Sequence, residues 1–138
     1  MVLTRFGGKF ILDLRFKAVF VAGGIGITAF RSMLKQVIDD KLPAEITLIY
    51  LNHTSDFPFR DELNKWQVSN PNIKIHFVIT KGDRSIGYKA FQRIMQPLGS
   101  QVVFYLAGSP GMVDSYKNIL HGLGVRKNQI KIDSFKGY

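Results

Sequence analysis

The stretch VFVAGGIGITAF, residues 19–30, decides the fold, because its three glycines separate a run of apolar residues from a helical pattern. Short runs rich in Val, Ile, Phe, Tyr and Leu recur along the chain and predict strands. The predicted strands span residues 18–22, 46–51, 73–79 and 102–107, with a weaker fifth at 130–135. The first four show little polar alternation, which is typical of parallel strands buried on both faces.

Between the predicted strands, apolar residues recur at helical spacing. The clearest pattern runs from Met112 to Leu123, with Ser109 as the predicted N-cap and Pro110 at the first helical position. The other patterns contain Ile27, Phe30, Leu34, Val37 and Ile38, then Leu63 and Trp66, then Phe91, Ile94 and Met95. Strands that alternate with helices predict a doubly wound α/β sheet.

Residues 1–16 do not follow this alternation. The segment FGGKFILDL, residues 6–14, has a glycine pair and then apolar residues at every second position, Phe10, Leu12 and Leu14. Such a pattern predicts an antiparallel strand or a hairpin arm. We therefore expect a short N-terminal β arm beside the α/β sheet.

The composition excludes several kinds of chemistry. The 138 residues contain no cysteine, which excludes disulfides, thiolate catalysis and cysteine-ligated metals. The three histidines have no carboxylate at metal-ligand spacing, so we predict no metal site. No apolar run reaches the roughly 20 residues that span a bilayer, so we expect a cytoplasmic protein without a membrane span.

The formal net charge of +9 predicts attraction to a polyanion. The Lys and Arg residues are scattered and form no basic run, which favours a solvated basic surface. We predict no nucleic-acid binding. A basic α/β domain that binds nucleic acid is the alternative, and a steeply salt-dependent affinity for DNA or RNA would identify it.

Small, polar and glycine residues follow each of the first four predicted strands, and these positions share the ligand-binding edge of an open α/β sheet. After the first strand, Gly24-x-Gly26-x-x-Ala29 fits the dinucleotide fingerprint, in which backbone N–H groups face a pyrophosphate at a helix N-terminus. A purely structural strand–turn–helix connection is the alternative. In the phosphate-binding interpretation, Gly26→Val abolishes nucleotide binding and leaves the fold nearly intact.

The residues after the second predicted strand bear on the choice between NAD and NADP. Asn52, His53 and Thr54 stand there, without the Asp or Glu that holds the ribose hydroxyls in a standard NAD site. An uncharged or basic site tolerates a 2′-phosphate, and Lys81 or Arg84 could supply charge from the next loop. The choice between the two nucleotides stays open at this point.

Four motifs, in this order, resemble the NAD(P)-binding domain of the ferredoxin–NADP reductase family. They are VFVAGGIGITAF, LIYLNHTSDFPFRDEL, FYLAGSPGMVDSYKNIL and IKIDSFKGY, and the resemblance runs from about Phe6 to Tyr138. It implies an open, doubly wound, Rossmann-like sheet of five parallel strands in the order 3-2-1-4-5. It also implies that the chain binds NADP or NAD and presents the nicotinamide to FAD or FMN for hydride transfer.

The resemblance and the residue pattern together assign side chains to three parts of a site. The cofactor-binding positions are Gly23, Gly24, Gly26, Ile27, Thr28, Asn52, His53, Thr54, Arg84, Gly108, Ser109, Pro110, Gly111 and Met112. Of these, the nicotinamide-positioning residues are Thr28, Gly108, Ser109 and Met112. The flavin-side positions are Asp133, Phe135 and Tyr138, which match an acidic and aromatic tail in the family. Ala107 replaces the family's usual Cys beside the transferring hydride.

The family's flavin-binding barrel has no counterpart in this sequence. Residues 1–16 resemble only its last strand or strands, so we divide the chain into that remnant and an NAD(P)-binding domain at 17–138. The expected partners are a flavin-binding domain or subunit and an acidic electron acceptor of the ferredoxin or flavodoxin type. The isolated chain is then inactive without the flavin domain. The alternative is a stand-alone NAD(P)-binding or docking subunit without catalytic activity.

Overall fold

The computed structural model describes residues 3–5 and 10–134, apart from the side chains of residues 3–5 and of Arg84. Its strands are β1 (Leu3–Arg5), β2 (Ile11–Asp13), β3 (Lys17–Gly23), β4 (Ile46–Asn52), β5 (Ile73–Ile79), β6 (Val102–Gly108) and β7 (Ile130–Ser134). Its helices are α1 (Ile27–Asp39), α2 (Arg60–Ser69), α3 (Arg84–Met95) and α4 (Pro110–Gly122). The flavin-side positions Phe135 and Tyr138 lie outside the described residues.

Five parallel strands form the central sheet in the order β5-β4-β3-β6-β7. Numbered along the chain from β3, this is the predicted order 3-2-1-4-5, which is confirmed. Each predicted strand coincides with an observed one to within one residue at every described end. The strand β3 lies at the centre, where Ala18 pairs with Ile46 of β4 on one side and with Val103 of β6 on the other.

Helices cover both faces of the sheet, which confirms the doubly wound architecture. Because side chains alternate along a strand, Phe20 of β3 packs in the core beneath α1, while Val21 packs in the core beneath α3 and α4. Both side chains are fully buried. The apolar stripes of the helices are therefore core residues, as their spacing predicts.

The strand β5 departs from the prediction of burial on both faces. It is an edge strand of the described sheet, Lys74 is exposed, and Ile79 keeps 37% of its surface exposed. His76 is half-buried on the same strand, and burial, Arg93 and Lys74 all lower the pKa of its imidazole. A run of apolar residues interrupted by Lys and His thus indicated an edge position.

The predicted N-terminal arm is an antiparallel pair, β1 with β2, and its second strand packs into the core beneath α1. The ring of Phe10 stacks on Phe30 at 5.6 Å between centroids and meets Tyr105 edge to face. The backbone N–H of Asp13 donates to the Tyr105 hydroxyl at 3.0 Å. Residues 10–13 therefore share the core of the larger unit, while their origin as the remnant of a flavin barrel stays a prediction.

The glycines of the turn after β3 serve different purposes. Gly24 has φ of +55°, a conformation that glycine adopts at little cost. Gly26 is buried, and a Cβ built on it would lie 2.0 Å from the carbonyl oxygen of Ala107 on β6. The expectation that Gly26→Val leaves the fold nearly intact is therefore wrong, because this glycine lets the start of α1 approach the backbone of the neighbouring strand.

We expect Gly26→Ala to destabilise the protein by at least about 2 kcal/mol, because its methyl group meets backbone atoms that cannot rotate away. Urea unfolding measures this loss. Gly122→Ala is the matched control, since a Cβ on Gly122 meets open space at the end of α4. Equal stability of the two variants would contradict the close approach of Gly26 to Ala107.

We also expect Phe10→Ala to lower the free energy of unfolding by about 3 kcal/mol, because the ring is 4% exposed and its loss leaves a cavity against Phe30 and Tyr105. Val68→Ala, at a side chain that is 85% exposed, controls for a nonspecific effect. An unchanged unfolding midpoint in the Phe10 variant would show that the arm does not contribute to the core.

Candidate functional site

The carboxyl ends of β3, β4 and β5 and the start of α4 enclose a cavity of about 470 Å³. This volume lies within the range of small-molecule sites, and the position beside the reversal of strand order is where open α/β sheets bind ligands. The lining residues are Gly23, Gly24, Ile25, Leu51, Asn52, His53, Thr80, Gly82, Asp83, Ser109, Gly111, Met112 and Tyr116.

A second depression, of about 480 Å³, lies at the other end of the sheet. Its walls include Val37 and Lys41 at the end of α1 and Asn70 at the end of α2. Helix C-termini carry partial negative charge, so this depression does not favour a phosphate. The cavity at the carboxyl ends of the strands is therefore the candidate site.

The glycine turn that leads into α1 and the N-terminus of α4 border the candidate site and leave it open to an anion. The turn at Gly24–Gly26 and the start of α1 have no side-chain cap, and neither α1 nor α4 has an acidic residue in its first turn. A Cβ built on Gly24 or on Gly111 would meet open space, so a ligand can approach the backbone at both places. This arrangement fits a pyrophosphate.

The start of α4 is capped as the sequence predicts. The Ser109 hydroxyl accepts a hydrogen bond from the N–H of Met112 at 3.3 Å, and Pro110 occupies the first helical position. Ser109 thus fixes the backbone of the first turn beside the cavity. The side chain of Met112 packs against Gly23 and Gly108, at the ends of two neighbouring strands.

Hydrogen bonds join the two loops at the opposite end of the cavity. The carbonyl oxygen of Asn52 accepts from the N–H of Thr80 at 2.8 Å and from its hydroxyl at 3.3 Å. The side-chain amide of Asn52 donates to the carbonyl oxygen of Asp56 at 2.8 Å, which holds the loop after β4. The exposed His53 lies between these anchors.

The cavity also contains a carboxylate that the sequence analysis missed. Asp83, after β5, accepts a hydrogen bond from the N–H of Ser85 at 2.9 Å and thereby caps α3. The hydrogen bond from Ser85 lowers the pKa of Asp83, so the residue is ionised at neutral pH. The acid was sought after the second strand of the sheet, whereas the neighbouring third strand supplies it. The pairing of β4 with β5, together with the Asp-x-Ser N-cap pattern, could have indicated it.

The structure brings together only part of the predicted site. The predicted residues that line the cavity are Gly23, Gly24, Asn52, His53, Ser109, Gly111 and Met112. Those that lie outside the lining are Gly26, Ile27, Thr28, Thr54, Gly108 and Pro110. Ile27 is buried in the core, and Thr28 and Thr54 are exposed outside the lining. Asp133 lies on β7, paired with Ala107 of β6. The side chain of Arg84, like Phe135 and Tyr138, lies outside the description.

The described residues carry neither a metal cluster nor a membrane span. Over residues 3–5 and 10–134, no group of three or more His, Asp or Glu side chains is arranged to hold a metal ion. Within the same part of the chain, no helix has the length and apolarity to cross a membrane.

Comparison with known proteins shows which family the chain is similar to. Residues 20–118 match the family model of the oxidoreductase NAD-binding domain. Nitrate reductase [NAD(P)H] from Betula pendula is 31% identical over 108 residues, which are 71% of this chain and 12% of the reductase. The toluate 1,2-dioxygenase electron transfer component from Pseudomonas putida is 22% identical over 134 residues, which are 94% of this chain and 40% of that protein.

Solved structures show the same fold. The ferredoxin-NADP+ reductase from Plasmodium falciparum matches with a TM-score of 0.71 and 20% identity, over 93% of this chain and 57% of the reductase. The chain spans less than half the length of the Betula pendula and Pseudomonas putida proteins. It belongs to the oxidoreductase NAD-binding domain family, and its fold is similar to that of the NAD(P)-binding part of ferredoxin–NADP reductases.

Proposed function

We propose that the chain is the NAD(P)H-binding domain of a flavin-dependent oxidoreductase and that the cavity beside β3 is its nucleotide site. One observation carries the proposal: the glycine turn that leads into α1 and the N-terminus of α4, whose first turn has no acidic residue, border a cavity at the carboxyl edge of the sheet. When bound, the reduced nicotinamide supplies a hydride. The protein contributes position and electrostatics.

The lining divides into regions with different chemistry. Gly24 and Gly111 expose backbone toward the middle of the cavity, and there we place the pyrophosphate. Ser109 and Met112 line the end beside β6, which we assign to the nicotinamide, with Thr28 and Gly108 as further candidates near that end. The polar end, which we assign to the adenosine, is formed by Asn52, His53 and Asp83, with Thr54 as a further candidate outside the lining.

A flavin belongs to the same reaction but to a separate domain or subunit. Among the relatives, the Pseudomonas putida protein is an electron transfer component, and the structurally similar flavohemoglobin from Malassezia yamatoensis has bound FAD. We assign Asp133, Phe135 and Tyr138 to the flavin side on the strength of the sequence resemblance. The net charge of +9 suits an acidic electron acceptor. Activity on mixing with a flavin subunit would separate this proposal from a docking subunit that has no catalytic role.

We expect Gly111→Glu to weaken NAD(P)H binding by at least about tenfold, because its carboxylate stands at the helix N-terminus that faces the pyrophosphate. Calorimetric titration measures the affinity. Gly111→Gln keeps the size without the charge, and Gly122→Glu places the same charge at the far end of α4. Equal affinities for Gly111→Glu and Gly122→Glu would contradict this position of the site.

The carboxylate of Asp83 favours NAD over NADP, since a 2′-phosphate near it meets like charge whereas ribose hydroxyls donate to it. We expect Asp83→Asn to raise the affinity for NADP by roughly threefold to tenfold and not that for NAD. Asparagine keeps the capping ability, so α3 stays intact. Asp114→Asn, on the exposed face of α4, controls for net charge. An unchanged ratio of the two affinities would exclude Asp83 from nucleotide selection.

A further inference from the structure

The side chain of Met112 lies in a slot that two glycines create. A Cβ built on Gly23 would lie 2.9 Å from Cγ and 3.1 Å from Sδ of Met112, and one built on Gly108 would lie 2.7 Å from Sδ. Real Cβ atoms essentially never come so close to another heavy atom. Gly23 and Gly108 therefore leave room for a methionine, and we call this space the Met112 slot.

The Met112 slot suits a thioether and does not suit a polar group. The position of a Cβ on Gly108 lies 3.2 Å from the carbonyl oxygen of Gly23, so a hydrogen-bond acceptor is part of the wall of the slot. A sulfoxide oxygen is also an acceptor and gains nothing from that neighbour, while it enlarges a side chain that already fills the space.

The surroundings let the side chain leave the slot without loss of the helix. Met112 is half-buried and lines the nucleotide cavity, so one side of it faces open space. Its backbone is fixed independently by the hydrogen bond to Ser109 and by the helix that follows. A change at the sulfur therefore moves the side chain within the cavity and not α4 itself.

We infer that Met112 is an oxidation-sensitive positioning residue: conversion of its thioether to the sulfoxide by a peroxide expels the side chain from the Met112 slot into the cavity and weakens dinucleotide binding. The inference rests on the proposed function, since it assigns this end of the cavity to the nicotinamide. In the step, one oxygen atom passes from the peroxide to sulfur, the sulfur is oxidised by two electrons, and hydrogen peroxide is reduced to water.

The other described methionines provide internal comparisons. Met33 is 1% exposed in the core and is protected, whereas Met95 is half-buried at the end of α3, away from the nucleotide cavity. Met112 is half-buried like Met95, so we expect peroxide to oxidise both. Only oxidation of Met112 is expected to change binding.

The experiment treats the full chain with hydrogen peroxide, maps each sulfoxide by peptide mass spectrometry, and titrates the chain with NAD, nicotinamide mononucleotide and AMP. We expect a several-fold loss of affinity for NAD and for the mononucleotide, little change for AMP, and recovery after methionine sulfoxide reductases act on the protein. Met95→Leu is expected to respond like the parent chain. For Met112→Leu, the ratio of treated to untreated affinity is expected to stay near one.

The inference is overturned if Met112 becomes oxidised and the NAD affinity does not change. It is also overturned if peroxide treatment lowers the NAD affinity of Met112→Leu as much as that of the parent chain. It is also overturned if AMP binding falls in parallel, because a merely structural effect would do that. Resistance of Met112 under conditions that oxidise Met95 counts against it as well. An untreated chain that binds neither NAD nor NADP would remove the proposed function itself, a result distinct from binding that ignores peroxide.

Discussion

The pairing of β3 with β4 on one side and with β6 on the other is the constraint on which the other features depend. Because successive strands are added first on one side of β3 and then on the other, the connections leave in opposite directions and a crevice opens between them. The nucleotide cavity, the N-terminus of α4 and the Met112 slot all lie beside this crevice. The N-terminal arm is tied to the same centre through Phe10, whose ring reaches both α1 and β6.

Much of this architecture follows from short-range patterns. The strand order came from the resemblance to a known family. Apolar runs and helical spacing were sufficient for the strands and the helices, and the Ser109–Pro110 pair predicted the start of α4. Strands, helices and helix caps depend on residues that are close together in the chain, so a single sequence is enough to predict them. The edge position of β5 was also visible in principle, in Lys74 and His76, but the apolar content of the run outweighed them in the prediction.

Contacts between distant residues were the part that could not be predicted. The sequence shows that glycines stand at 23, 24 and 26, yet it does not show that Gly26 meets Ala107 or that Gly23 meets Met112. The fingerprint interpretation treated these residues as one phosphate-binding set, whereas Gly24 alone of the three has open space where a Cβ would stand. In the same way, Asp83 was overlooked because its proximity to Asn52 arises from the pairing of β4 with β5. The sequence thus located the glycine motif correctly, but long-range packing determines which of its residues face the ligand and which pack against other strands.

The contact of Gly26 with Ala107 limits how this sequence can evolve. Every amino acid that a single nucleotide change can introduce at a glycine codon carries a Cβ, so no one-step replacement of Gly26 avoids the carbonyl oxygen of β6. A compensating change at Ala107 gives no relief, because the atoms in the way belong to the backbone and not to a side chain. Substitutions in the lining of the cavity can therefore accumulate one at a time and change the ligand. No single substitution at Gly26 is compatible with the present backbone of the turn.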